Sequence, residues 1–158
     1  MRRVLRALLC ALPLLAAGCG GDASGPSDPD LTTVTFAPAR GVDIATMTRV
    51  GDGVYIKDVK VGDGAAVTTN RVISVRYQGW LPDGTRFDHN EPPRALYQLV
   101  LGQSPVIEGW HQGLVGMKVG GIRLLVIPPS LGYGARAQGP IPANSVLVFR
   151  VEVVSQSS

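Results

Sequence analysis

The chain is poor in the residues that most reactions need. It holds two cysteines and two histidines in 158 residues. Cys10 lies inside an apolar N-terminal run and Cys19 just after it; once that run is removed by export processing, one thiol remains and no disulfide within the mature domain can form. His89 falls in a turn region and His111 follows Trp110 on the expected solvent side of a helix. Neither belongs to a cluster with metal-ligand spacing, so no metal is assigned. Ser130 and Ser145 stand in no GxSxG context, which leaves nucleophilic catalysis without a candidate that has an obvious base. Gly51-Asp52-Gly53 and Gly62-Asp63-Gly64 lack the spacing and helix start of a nucleotide-binding loop. No Lys or Arg stripe interleaves with the aromatics and no block of like charge is present, which argues against a nucleic-acid partner. Activity is therefore expected from a pocket, without a cofactor.

The length suits one domain with one core. Residues 1–18 have the form of an export signal: Arg2, Arg3 and Arg6 precede the apolar run Val4 to Ala17, and small residues precede Cys19. That run is too short to span a bilayer, at about 14 residues against the roughly 20 a transmembrane helix requires. "LLAAGC" resembles the bacterial lipobox, with Ala16 where the pattern most often has Leu, and implies that Cys19 is lipidated and becomes the mature N-terminus. Without Arg2, Arg3 and Arg6 the 15 basic residues fall to 12, against 12 acidic ones, so the mature protein is close to neutral. Residues 19–31 read as the lipidated cysteine and a flexible Gly/Ser/Pro/Asp tether. Residues 32–52 read as an N-terminal extension of unassigned role, and 53–158 as the functional domain.

From Gly53 the pattern is mostly β. Val54 to Val61, Val72 to Leu81, Ala95 to Leu101, Ile122 to Ile127 and Val146 to Val154 are rich in β-branched and aromatic residues and are separated by Gly, Pro, Asn or Asp. Short connections favour an antiparallel sheet. In "VIEGWHQGLVG", Val106 to Gly116, the spacing of Ile107, Trp110 and Leu114 predicts one short helix with an apolar face. The expected architecture is α+β, with that helix lying across one face of a twisted sheet. In "VRYQGWLPDGTRFD", alternation places Ile73, Val75, Tyr77, Gly79 and Leu81 on one face, with Ser74, Arg76 and Gln78 on the other. Pro82 to Gly84 supplies the turn, Phe87 should point inward, and Asp88 sits beside it.

"VRYQGWLPDGTRFD", "VIEGWHQGLVGMKVG", "LGYG" and "IPANSVLVF", in that order, resemble the bacterial FKBP-type peptidyl-prolyl cis-trans isomerases over about Gly53 to Val154. The resemblance implies a curved antiparallel sheet wrapped around one short α-helix, with the active cleft between them. It implies that Tyr133, Asp88, Trp110 and Ile107 are the catalytic residues and that Tyr77, Phe87, Tyr97, Val106, Ile141 and Phe149 bind substrate. Trp110 would be the floor, holding proline with Phe149, Tyr97 and Val106, while the Ile107 backbone N–H and the Tyr133 hydroxyl would serve substrate carbonyls. Asp88 would be a fixed polar edge bonded to Tyr77, acting either on substrate or only through Tyr77.

Two departures bear on the site. The loop from Tyr133 to Pro142 is slightly short for the family, with Ala137 or Gln138 where some members have histidine, which weakens the assignment of Ile141. Tyr97 stands where phenylalanine is common. The partners implied are proline-containing exported polypeptides, macrolides such as rapamycin, and a membrane reached through the lipid anchor, with the domain facing the periplasm. Two alternatives stay open: a proline-binding chaperone module with little turnover, and an anchored β-rich module whose aromatics fill a core.

Overall fold

The computed structural model describes residues 27–157; the signal, Cys19 and most of the tether lie outside the described residues. Seven strands form one antiparallel sheet: β1 (Thr48–Val50), β2 (Val54–Lys60), β3 (Val72–Trp80), β4 (Arg86–Asn90), β5 (Tyr97–Val100), β6 (Ile122–Ile127) and β7 (Leu147–Ser157). Their spatial order is β1-β2-β6-β7-β3-β4, and β5 pairs with the first half of β3 while β4 pairs with its second half. Among the described residues a single α-helix, α1 (Glu108–Gly113), lies between β5 and β6. This is the α+β architecture that the sequence pattern predicts and the curved sheet that the family resemblance implies.

The helix is shorter than the span Val106 to Gly116. Ile107 is still extended, at φ −61° and ψ 145°, and Gly116 takes the left-handed φ of +76°, so only six residues remain helical. So short a helix, with two internal glycines, depends on packing rather than on propensity. Those glycines provide it. A Cβ on Gly109 would lie 2.4 Å from Ile127 Cγ2, and one on Gly113 would lie 2.3 Å from Leu125 Cδ2. Four residues apart, they form the face on which the helix settles against β6, while Trp110 and Leu114 enter the core beside it.

Both faces of the sheet are covered. Leu125, Ile127, Leu147, Phe149, Val151 and Val153 point toward the helix; Leu124, Val126, Val146 and Val148 point the other way, into a second apolar cluster with Leu31, Met47 and Trp80. That is why Leu124 to Ile127 of β6 and the start of β7 read as unbroken apolar runs instead of alternating ones. Residues 32–52 make the second cover: β1 pairs with β2, and the Arg40 guanidinium stacks 4.7 Å over the Trp80 ring. Trp80, which the alternation turns away from the helix, is thereby only 6% exposed. Burial of a large apolar side chain of this kind contributes about 1.5–3 kcal/mol.

Arg123, on the helix-facing side of β6, is the one buried charged residue among the described residues. Its Nε and Nη2 donate to Asp58 of β2 at 2.7 and 3.0 Å, and its Nη1 donates to the carbonyls of Gly113 and Val115 at 2.9 and 3.2 Å. The guanidinium thus satisfies carbonyls at the C-terminal end of α1 and ties the helix to two strands.

Candidate active site

A cavity of about 180 Å³ opens between the sheet and the N-terminal end of α1. Tyr77 reaches it from β3, Phe87 and Asp88 from β4, and Tyr97 from β5. Val106 and Ile107 come from the segment before the helix, Trp110 from the helix, Tyr133 from the loop after β6, and Phe149 from β7. The structure therefore brings together every predicted catalytic and substrate-binding residue except Ile141. That side chain is 4% exposed and packs in the main core, with its backbone paired to Gln138. It closes the loop that carries Tyr133 instead of lining the cavity. Pro105 is a wall residue that sequence reasoning missed; it precedes the apolar pair Val106–Ile107, and nothing in its pattern set it apart from an ordinary turn proline.

The walls are aromatic rings meeting edge to face. Around Trp110, the rings of Tyr77, Phe149 and Tyr97 stand at centroid distances of 5.1, 5.4 and 6.4 Å, with interplanar angles of 81°, 86° and 84°. Phe87 meets Phe149 at 5.4 Å and 82°. Edge-to-face contacts fix each ring through its quadrupole as well as by area, so the box is stiff before anything binds. Its floor, Trp110, is 4% exposed, and its buried indole N–H has no acceptor among the described residues.

Space for this arrangement comes from Gly79. It lies opposite Asp88 on one side and Phe149 on the other, and a Cβ there would meet Phe87 at 2.6 Å and Phe149 at 2.8 Å. The β3–β4 ladder also slips beside it: Gly79 pairs with Asp88 but Trp80 with Arg86, leaving Phe87 as an extra, unpaired residue. In a regular strand Phe87 and Asp88 would face opposite sides; the bulge turns both toward the cavity.

Hydroxyls and one carboxylate mark the rim. Tyr77 donates to Asp88 Oδ2 at 2.8 Å, and Asp88 Oδ1 accepts the His89 backbone N–H at 2.7 Å. Desolvation, then the bond to Asp88 and its charge, hold the Tyr77 hydroxyl far above the ordinary tyrosine range. Tyr133 is also raised, by desolvation first and then by the charge of Asp88. Both are donors that stay protonated. Among the described residues, no three His, Cys, Asp or Glu side chains group as a metal site. What the site offers is an apolar box with fixed donors at its edge.

A model of the family described as FKBP-type peptidyl-prolyl cis-trans isomerase matches residues 63–154. The chain belongs to this family. It is 43% identical over 103 residues to an "FK506-binding protein" of Neisseria meningitidis serogroup B, covering 65% of this chain and 94% of that relative. It is 46% identical over 106 residues to "FK506-binding protein 4" of Chaetomium thermophilum, where the match takes 67% of this chain but spans only 22% of the longer protein. Among solved structures, "Crystal structure of AtFKBP13" superposes with a TM-score of 0.65 at 31% identity, over 70% of this chain and 98% of that one. The aromatic box and the Tyr77–Asp88 pair all lie within the stretch matched to FKBP-type isomerases. Residues 27–62, including β1, β2 and the cover over Trp80, precede it.

Proposed function

We propose that this FKBP-type isomerase works from a lipid anchor at Cys19 on the periplasmic side of a bacterial envelope, where it speeds X-Pro rotation in exported polypeptides. The "LLAAGC" sequence behind a charged and apolar start supports the placement. The observation that carries the chemistry is the edge-to-face box around Trp110 with no reactive group inside it.

Rotation about an X-Pro amide crosses a barrier of about 18–20 kcal/mol set by partial double-bond character, and no bond need break. The planar amide is strongly dipolar and well solvated; half-rotated, it loses conjugation and much of that charge separation. An apolar box therefore favours the twisted form, provided that proline binding offsets the desolvation. Trp110, Phe149, Tyr97 and Val106 hold the pyrrolidine ring, the Ile107 N–H and Tyr133 hydroxyl hold substrate carbonyls, and Asp88 sets the field at the edge without exchanging a proton. Macrolides such as rapamycin would occupy the same box.

A protease-coupled isomerisation assay on the full chain in detergent tests the catalysis, with quenching of Trp fluorescence by rapamycin reporting occupancy. Rapid turnover with quenching is expected. Quenching without turnover would leave a proline-binding chaperone module. For the anchor, Cys19→Ser should remove acyl chains seen by mass spectrometry of the membrane fraction and leave the isomerase rate unchanged; an unmodified mature N-terminus at another residue would overturn the anchor.

A further inference from the structure

The last residues of the stretch read as a flexible tether, Asp28 to Leu31, are packed against the domain and touch the loop of the active cleft. The Asp28 carboxylate accepts the Ser130 backbone N–H at 2.9 Å, and its other oxygen accepts the Ser130 hydroxyl. Ser130 sits in the 3-10 turn Pro129–Leu131, three residues before Tyr133. Leu31, just after Asp28, is 5% exposed in the second apolar cluster. Asp28 is thus held on the chain side by a buried anchor, and its carboxylate is presented to the turn.

The peptide group it engages is the one that holds Tyr133. The N–H belongs to Ser130 and the C=O of the same unit belongs to Pro129; that carbonyl accepts the backbone N–H groups of both Gly132 and Gly134, at 3.0 and 2.9 Å. These two residues flank Tyr133. Gly134, at φ +57°, also offers its carbonyl to the Asn144 N–H at 2.7 Å. A carboxylate bonded to one end of a peptide dipole polarises it and strengthens acceptance at the other end. It also fixes the plane from which both flanking glycines hang, and small residues on each side of Tyr133 give its backbone little stiffness otherwise.

We propose that Asp28 is a positioning residue for the cleft: through the Pro129–Ser130 peptide group it fixes the backbone around Tyr133 and so aims the hydroxyl at the rim. Asp28 lies 35 residues before the first position of the family match, so this function belongs to the chain outside the common domain. It rests on the role given to the Tyr133 hydroxyl above.

The test uses Asp28→Ala, Asp28→Asn and Ser130→Ala in the full chain in detergent. It reads kcat/KM on a proline peptide, amide hydrogen exchange at Gly132 and Gly134, and the urea midpoint. Asp28→Ala should speed exchange at both glycines and lower kcat/KM about three- to tenfold with the urea midpoint little changed. Asp28→Asn, which keeps an acceptor but no charge, should fall between. Ser130→Ala keeps the N–H and should cost less than about twofold. In a Tyr133→Phe background, Asp28→Ala should cause no further loss, because its effect passes through that hydroxyl. An equal loss in that background, unchanged exchange at Gly132 and Gly134, or Ser130→Ala as damaging as Asp28→Ala would each overturn the proposal. If Tyr133→Phe alone leaves kcat/KM unchanged, the role of the hydroxyl fails; faster exchange at the two glycines in Asp28→Ala then supports the clamp, and unchanged exchange overturns it.

Discussion

The Tyr77 hydroxyl and the Asp88 carboxylate meet at 2.8 Å on the rim of the cleft, and the second oxygen of that carboxylate is held by the His89 N–H. Each oxygen thus holds one hydrogen bond, so the one carboxylate among the described residues of the cavity wall is oriented before substrate arrives. In the proposed mechanism it serves as a charged wall and not as a base.

Asp88→Val should therefore lower kcat/KM by about 5- to 30-fold, corresponding to roughly 1–2 kcal/mol for a lost charge-assisted hydrogen bond. Tyr77→Phe should cost less, since the carboxylate stays and keeps its bond to His89. Equal losses in the two variants would mean that Asp88 acts only through Tyr77.

The rate should be flat from pH 6 to pH 9 on a peptide without ionisable groups, because rotation exchanges no proton and both rim hydroxyls have raised pKa values. The same shifts set the sign for stability. Tyr77 binds its proton more tightly in the folded state, so its contribution is complete below its ordinary value of 10.0 and is lost as pH rises beyond it. Unfolding followed by fluorescence above pH 10 should show a steeper decline in wild type than in Tyr77→Phe. A bell-shaped rate profile near neutrality would count against the fixed-wall reading.

Gly109→Ala should destabilise by about 1–3 kcal/mol by overpacking, outweighing the roughly 1 kcal/mol that Ala gains over Gly in a helix. The obstacle there is Cγ2 of the β-branched Ile127, which has little freedom to move; at Gly113 it is the tip of Leu125. Gly113→Ala should cost less. Urea unfolding of the two variants decides the order, and a stabilised Gly109→Ala would show that the helix does not need this close approach.

Arg123→Ala should cost about 1–3 kcal/mol, since it leaves the carbonyls of Gly113 and Val115 without their donor, while the exposed Asp58 regains water. Arg123→Lys should recover less than half of that loss, because an ammonium lacks the fork that reaches a carboxylate and two carbonyls together. Urea unfolding provides the measure, and full recovery by lysine would show that charge alone matters.

The sequence by itself determined the class of fold and most of the cleft. Runs rich in β-branched and aromatic residues gave the strands, and the spacing of Ile107, Trp110 and Leu114 gave the helix; both are local signals. The resemblance carried by the ordered motifs named nine of the residues that line the cavity. Tertiary structure decided what depends on distant partners. Phe87 and Asp88 share one wall because the ladder to β3 slips at Gly79, and no pattern within β4 announces that slip. Ile141 left the cleft for the core because the loop folds back on Gln138. Trp80 is buried because residues 31–47 cross the far side of the sheet, a long-range cover that alternation along β3 cannot contain. Asp28 and Ser130 meet across 102 positions, a contact that exists only where the segment before β1 is laid against the turn after β6.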